Sequence, residues 1–438
     1  MLLLESYIKQ TADCQPEKIA LVCGDFSMTY RELWQAVEER SILLRHSSGR
    51  TTILRTTQSA DFLITYFASH LAGKVVVPLA QDLPDEDYQR VESELNAMEL
   101  PSNTSEILYT TGTTGKVKGT MISHESIIAN AENLIDAHRY TNELVFVVCG
   151  PLNHIGSLSK VWPTMMVGGT IIITSGMKDL EEFFDALNYP CQKIATFLVP
   201  ASIRILLQFS KKQLADYANK IDFIETGAAA ISQADMNELC QILPQSRLYN
   251  TYASTETGII CTHDFNLDCC VAGCLGKPMK HAAIHISEDG RISTSGKTTM
   301  LGYAGDEHAT LSVLKEGRCY TQDYGYLDAE GRLHLKGRNS DIINVGGYKV
   351  NPVEVENAAM FHPDVSDCIC IADSHPVLGT ALRLLVVTSN DIALNKKSVA
   401  LFLKERLESY KVPQMYSKVE SIARTFNGKL DRKHYQKT

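Results

Sequence analysis

The segment Ile107-Leu-Tyr-Thr-Thr-Gly-Thr-Thr-Gly-Lys-Val-Lys-Gly119 decides how this chain is read. A β-prone run enters a loop holding three glycines, four threonines and two lysines, and a helical pattern follows near Ser123. Glycines let main-chain amides turn inward, threonine hydroxyls add donors and lysine adds charge, so the loop suits an oligophosphate. A kinase-type phosphate loop is excluded by spacing, because it needs four residues between its first Gly and the Gly-Lys pair, then Ser or Thr. Here only Thr113 and Thr114 separate Gly112 from Gly115-Lys116, and Val117 follows.

The segment resembles the S/T-S-G-T-T-G-x-P-K-G loop of the adenylate-forming superfamily, which includes acyl-CoA synthetases, adenylation domains of nonribosomal peptide synthetases and luciferases. Thr111 replaces Ser and Val117 replaces Pro, while Gly112, Gly115, Lys118 and Gly119 match. Further matches follow in the family's order. Pro151-Leu-Asn-His154 is similar to P-L-F-H, Thr226-Gly-Ala-Ala229 to S-G-A/G-A, and Asn250-Thr-Tyr-Ala-Ser-Thr-Glu256 to N-x-Y-G-x-T-E. Tyr320-Thr-Gln-Asp323 resembles Y-x-T-G-D with one residue absent and Gln322 for Gly. Gly337-Arg-Asn-Ser-Asp341, with Gly347, Glu354 and Glu356, resembles the interdomain segment, and Asn427-Gly-Lys-Leu-Asp-Arg432 resembles N-G-K-x-D-R. The resemblance covers essentially the whole chain. It implies an α/β fold in which a large N-terminal domain of layered α/β sheets spans residues 1–338 and a small mobile α+β domain spans 341–438.

The implied reaction uses ATP and Mg2+ to turn a carboxylic acid into an acyl-adenylate, then passes the acyl group to a thiol. Joining a carboxylate to a triphosphate brings two anions together, so cations and hydrogen-bond donors must converge on the α-phosphate. By resemblance, Thr110, Thr111, Gly112, Thr113, Thr114, Gly115 and Lys118 hold the β- and γ-phosphates. Thr255 holds the α-phosphate, and Glu256 holds Mg2+ as carboxylates do beside phosphates. Asp323 accepts hydrogen bonds from the ribose, with Arg338 as an added donor. Asn250, Tyr252, Gly227, Ala228 and Ala229 frame the adenine, and His154 lies between nucleotide and acid. Lys429 bridges the attacking carboxylate and the α-phosphate. The small domain then turns about Ser340, bringing Gly347 and Lys349 to the thiol, which is CoA or the phosphopantetheine of a carrier protein.

Two departures stand out. Leu79, which closes a strand of the N-terminal part, stands only thirty-one positions before Thr110, a shorter interval than in relatives, so an abbreviated N-terminal subdomain is expected. Gln322 places a side chain where relatives carry Gly. No Asp or Glu lies between Pro151 and Thr170, which disfavours an α-amino acid as substrate and leaves an aryl or acyl acid. The acid pocket is expected from His154–Lys160, Phe197–Pro200, Thr226–Ala229 and Gly258–Ile260. Lys160 is expected in solvent or at a helix end rather than on a second substrate carboxylate. A degenerate nucleotide binder without turnover is the rival outside enzyme function, and Lys429, Glu256, Asp323 and Arg338 speak against it.

Outward from these motifs, β-rich runs at Ile19–Cys23, Thr52–Leu54, Val75–Pro78, Leu144–Cys149, Thr170–Thr174 and Ile194–Val199 alternate with helical patterns, as in a layered α/β domain. Thr29 and Glu32 have capping-box spacing and open what reads as the first helix, with Leu33, Val37 and Leu44 on one face. A helix from Ser123 carries Ile127, Ala131, Leu134 and Ile135 inward. Past residue 270 short Gly-punctuated strands run to a junction at Gly337–Ser340. Asn351 and Pro352 then cap a helix, strands are expected at Asp367–Asp373 and Leu382–Thr388, and a helix over Lys397–Ser409.

The 438 residues are 44% hydrophobic, enough for more than one core, and the net charge of −9 gives no footprint for nucleic acid. Glu5 interrupts the apolar start too soon for a signal-peptide core, and no run approaches the roughly 18 apolar residues of a membrane span, so a cytoplasmic enzyme is expected. The close cysteine pairs Cys269/Cys270 and Cys368/Cys370 lack CxxC spacing and His partners, and read as buried thiols.

Overall fold

Val145-Phe-Val-Val148 shows how the molecule is layered. Phe146 and Val148 enter one buried cluster with Ile171, Ile173 and Ala195, while Val145 and Val147 enter another with Ile172, Ile194 and Ile224. Side chains two apart share a face, so a strand apolar at every position must be covered on both sides. Helices supply both covers: Ala60–Leu71, His124–His138 and Ile155–Met166 on one face, Leu180–Leu187, Pro200–Phe209 and Gln233–Ile242 on the other.

The computed structural model describes residues 3–111, 117–338, 341, 343–345, 348–375, 379–389, 392–425 and 430–435. Gly112, Thr113, Thr114, Gly115, Ser340, Gly347 and Lys429 lie outside them, and Thr110, Thr111, Arg338 and Lys349 are described by their main chain alone.

Among the described residues the main sheet has 14 strands. Its parallel part runs Ile19–Cys23, Thr170–Ile173, Val145–Val148, Ile194–Phe197, Ile221–Gly227, Arg247–Ser254. An antiparallel part continues through Gly258–Asp264, Cys274–Pro278 and Leu333–Arg338 to Arg318–Leu327. From Val145–Val148 the chain steps one way to Thr170–Ile173 and then back past it to Ile194–Phe197. That reversal opens a crevice at the carboxyl ends of the strands, where ligands bind in open α/β sheets.

A 5-stranded sheet of Thr51–Arg55, Val75–Leu79, Thr104–Thr111, Val117–Ser123 and Gly302–Tyr303 packs beside it. Val76, Leu108 and Ile122 face the main core, and Val75, Val77 and Ile107 face a smaller one. The phosphate segment is therefore placed differently from the strand-loop-helix order read in the sequence. Thr104–Thr111 pairs antiparallel with Val117–Ser123, Thr111 opposite Val117, so residues 112–116 join two strands and the helix follows later. Ser123 caps that helix by accepting from the Ser126 amide, and Ile127, Ala131 and Leu134 are buried as expected, while Ile135 is partly buried.

A buried polar network ties this sheet to helices that cover the main one. Tyr66 donates to Glu106 at 2.6 Å, the Trp162 indole donates to Tyr66 at 3.0 Å, and His70 meets Glu5 at 3.0 Å. Glu5 belongs to a helix, Leu4–Cys14, that the sequence reading missed, and Leu4, Ile8 and Ala12 bury its inner face. The capping box at Thr29 and Glu32 is present, but on the second helix of the chain. The residues from Ile343 to Tyr416 close their own cluster around Val350, Leu382, Leu384 and Val386. Asn351 caps Pro352–Ala359 as expected, whereas the helix at Lys396 stops at Lys404. Asp367 of this part takes Arg204 at 2.8 Å and Arg424 at 2.7 Å. Among the described residues no helix is long and apolar enough to cross a membrane.

Candidate active site

A cavity of about 920 Å³ occupies the crevice at the sheet reversal. Strand ends and the turns that follow them supply Gly150–Pro151, Asn153–His154, Phe197–Val199, Gly227–Ala228 and Ala253–Glu256, while Thr321–Asp323 comes from within the strand Arg318–Leu327 and Lys118 and Tyr303 arrive from the smaller sheet.

At one end Asp323 is buried, and the Tyr252 hydroxyl donates to its carboxylate at 2.6 Å. Tyr252 thus engages Asp323 through its phenol from behind the cavity wall. Antiparallel pairing sets Arg338 directly opposite Asp323, so the ladder itself joins two motifs that the sequence separates. Gln322 is exposed and lines the cavity beside the acid. Asn250 is not brought to the wall: it is buried, and its amide donates to the Cys274 carbonyl at 3.0 Å.

Thr255 and Glu256 form the turn between Arg247–Ser254 and Gly258–Asp264, tightened by hydrogen bonds between Ser254 and Thr257. Glu256 accepts from the Tyr303 hydroxyl at 2.9 Å, and the Lys118 ammonium stands 4.7 Å from the Tyr303 ring. Burial and the Glu256 charge push the Tyr303 phenol far up, so it stays a donor. Nothing in the sequence around Gly302-Tyr303 marked this residue; it enters by edge pairing of Tyr303 with Thr120.

Ile221–Gly227 delivers the Thr226–Ala229 turn. A Cβ on Gly227 would stand 2.7 Å from the Thr251 carbonyl, which requires glycine there. Ala228 has φ of 66°, a left-handed conformation costing an L-residue about 1–2 kcal/mol, and it lines the cavity, whereas Ala229 does not. Such strain is retained where the surroundings over-determine it, commonly at ligand sites.

His154 precedes the helix Ile155–Met166, its carbonyl accepting from the Leu158 amide at 2.9 Å, so the amide end of that helix faces the cavity. Further along the same helix Lys160 contradicts both sequence readings. It is neither solvated nor open for a second substrate carboxylate: it is 2% exposed and pairs with the fully buried Glu225 at 2.6 Å. Burial pulls the Lys160 pKa down and Glu225 pulls it back. His138, whose Nδ1 is 3.6 Å from the other Glu225 oxygen, is kept neutral by burial and by the cations Lys160 and Arg247.

The profile of the AMP-binding enzyme family matches residues 8–98 and 90–304, and that of the AMP-binding enzyme C-terminal domain matches 354–429. This chain belongs to the AMP-binding enzyme family. Among its relatives, an Amycolatopsis feruloyl-CoA synthase is 26% identical over 487 residues, covering 98% of this chain and 97% of that enzyme. An indoleacetate–CoA ligase of Aromatoleum aromaticum is 30% identical over 338 residues, 74% of this chain and 65% of that enzyme. In fold, ATP-bound MatB from Rhodopseudomonas palustris superposes with a TM-score of 0.89 at 20% identity, covering 99% and 98% of the two chains. The o-succinylbenzoate CoA synthetase MenE from Bacillus subtilis superposes with a TM-score of 0.81 at 23% identity over 98% of this chain and 97% of that one.

For an AMP-binding enzyme this chain is short. The feruloyl-CoA synthase alignment runs over 487 residues, more than the 438 present here, so that relative carries stretches this chain lacks. The cavity nevertheless gathers Lys118, His154, Gly227, Ala228, Thr255, Glu256 and Asp323 on one surface.

Proposed function

We propose that this AMP-binding enzyme is an AMP-forming acid–CoA ligase acting on an aryl or acyl monocarboxylic acid. The observation that carries the proposal is that one cavity is lined by Asp323, Glu256, Lys118, His154 and Phe197 together. Relatives over most of the chain are CoA ligases, which supports the acceptor.

In the first half-reaction a carboxylate oxygen attacks the α-phosphorus of ATP and pyrophosphate leaves. Asp323, which accepts from the Tyr252 hydroxyl, also accepts from the ribose hydroxyls, with Arg338 opposite it in the ladder. Thr255 donates to the α-phosphate, and the 110–118 loop with Lys118 takes the β- and γ-phosphates. Glu256 is a carboxylate at the cavity wall that accepts from the Tyr303 phenol, a donor that fits Mg2+, which would offset phosphate charge when bound. Lys429 positions the carboxylate against phosphorus and stabilises the charge that develops. His154 separates acid from nucleotide. In the second half-reaction the CoA sulfur attacks the acyl carbon and AMP leaves. The domains divide at 338/341, with Ser340 as the hinge and Gly347 and Lys349 serving the thiol half-reaction.

The acid end supports a monocarboxylate. Lys160 is neutralised by Glu225, so it is not held ready for a second carboxylate. The same pair engages Glu225, so that carboxylate is not left for an α-amine. Consumption of ATP and CoA suits a cytoplasmic setting.

The test is acid-dependent ATP–pyrophosphate exchange over aryl, fatty and dicarboxylic acids, for wild type and Lys429→Ala. Exchange with monocarboxylates and a loss of at least about 100-fold in the variant are expected. Tight ATP binding without exchange for any acid would replace this proposal with a nucleotide binder lacking turnover. Supplying CoA or a phosphopantetheinylated carrier protein as acceptor separates the ligase from a carrier-loading enzyme.

A further inference from the structure

Cys368 and Cys370 are buried as expected, whereas Cys269 and Cys270 are only partly so. Cys269 does have a histidine partner, although not one that sequence spacing reveals. His263 lies in the strand Gly258–Asp264, Cys269 in the connection that follows, and Cys274 opens the strand Cys274–Pro278. The hairpin folds them together, so that one ligand atom from each lies within 4.8 Å of the others, with His263 Nε2 3.7 Å from Cys269 Sγ. A tetrahedral zinc ion, with bonds of about 2.3 Å to sulfur and 2.0–2.1 Å to nitrogen, separates its ligand atoms by roughly 3.6–3.8 Å.

We propose that His263, Cys269 and Cys274 bind a thiophilic divalent cation of the zinc class, with Asp268 on the second nitrogen of His263. Three independent features carry it. His263 and Cys274 are 3% and 0% exposed, so the donors are drawn from a formed interior and not from a mobile surface. Asp268 Oδ2 is 3.8 Å from His263 Nδ1, the position from which a carboxylate orients a metal-bound imidazole. Arg332 stands 3.3 Å from Cys269 Sγ, and Asp328 at 2.7 Å and Glu330 at 3.0 Å offset the guanidinium charge beside the cluster. Binding releases two thiol protons to solvent and gives two metal–sulfur bonds and one metal–nitrogen bond. Two thiolates and a dication sum to zero charge. The Nε2 contact of His263 with the Cys269 carbonyl, 2.6 Å, is exchanged for the metal. Cys274 pairs with His334 in the ladder, so the ion fastens the 264–273 connection to the strand Leu333–Arg338, which sets Arg338 against Asp323.

The experiment uses the full chain, reduced and stripped of metal, titrated anaerobically with Co2+. One equivalent should produce thiolate-to-cobalt charge-transfer absorption, Zn2+ should displace it, and Zn2+ should raise Tm by about 2–5 °C. Cys269→Ser and His263→Gln should each weaken Co2+ binding at least about tenfold and abolish the Zn2+ effect on Tm. His263→Gln guards against misfolding from a cysteine change, since the circular dichroism of each variant without metal should match that of wild type. Cys270→Ser, at the neighbouring thiol that faces Cys240, should keep the absorption. Absence of the band, its persistence in Cys269→Ser, or its loss in Cys270→Ser would each overturn the assignment.

Discussion

Replacing Lys160 by Met tests whether the ion pair beneath the acid pocket is structural. At 2.6 Å and an effective dielectric near 20 the two charges attract by roughly 6 kcal/mol. Desolvation costs several kcal/mol per ion at a site where the pair is 2% and 0% exposed, so the net contribution of the intact pair is small. Removing one partner is different, because Glu225 is then left buried without its cation and beside a neutral His138. Lys160→Met should cost about 3–5 kcal/mol, and Glu225→Met a similar amount. The double variant, an apolar pair of similar volume, should lose less than about 2 kcal/mol, leaving a coupling of at least about 4 kcal/mol. Urea unfolding of the four proteins measures this through midpoint and slope. Additive losses in the double variant, or single losses under about 1 kcal/mol, would refute the reasoning. ATP–pyrophosphate exchange with a monocarboxylate should survive in the double variant. Its disappearance in a folded protein would assign the pair to acid recognition instead.

Tyr252→Phe removes a hydrogen bond to the Asp323 carboxylate, worth about 1.5 kcal/mol at the low end for a charged acceptor, so KM for ATP should rise about tenfold. An unchanged KM would show that Tyr252 does not orient the acid. Gln322→Gly should change that KM by less than about threefold, since the side chain is exposed and the acid is held by Tyr252; a larger gain in affinity would mean the glutamine obstructs the ribose. Burial lifts the Glu106 carboxyl to about 7, so between pH 4.5 and 7 the folded chain holds a proton that the unfolded chain has lost, and this group makes stability fall as pH rises. The stability gap between Glu106→Gln and wild type should therefore widen in favour of the variant by roughly 3 kcal/mol from pH 4.5 to 7, then level off. A gap independent of pH, followed by thermal or urea unfolding, would contradict it.

Much of the fold was legible because its signals are local. Thr29 and Glu32 form their box within one turn, Ser123 and Asn351 cap the helices expected of them, and strands such as Val145–Val148 are apolar on both faces. The helix Leu4–Cys14 escaped because only Leu4, Ile8 and Ala12 are apolar on its inner face and Glu5 is buried against His70. The strand Val117–Ser123 escaped for another reason: a Gly-rich loop followed by polar residues reads alike whether a strand or a helix comes next, and pairing with Thr104–Thr111 decides it.

By itself the sequence determined the chemistry on offer, since Lys118, His154, Glu256 and Asp323 stand in motifs whose residue types and order are read directly. Only the tertiary structure decided where those groups meet and which are already engaged. Lys160 finds Glu225 65 residues away, Tyr303 finds Glu256 47 away, and Tyr252 finds Asp323 71 away. Such pairings depend on strand order and on which edge a segment joins. No local periodicity encodes them, because burial and charge neutralisation are properties of the assembled sheet and not of any single strand.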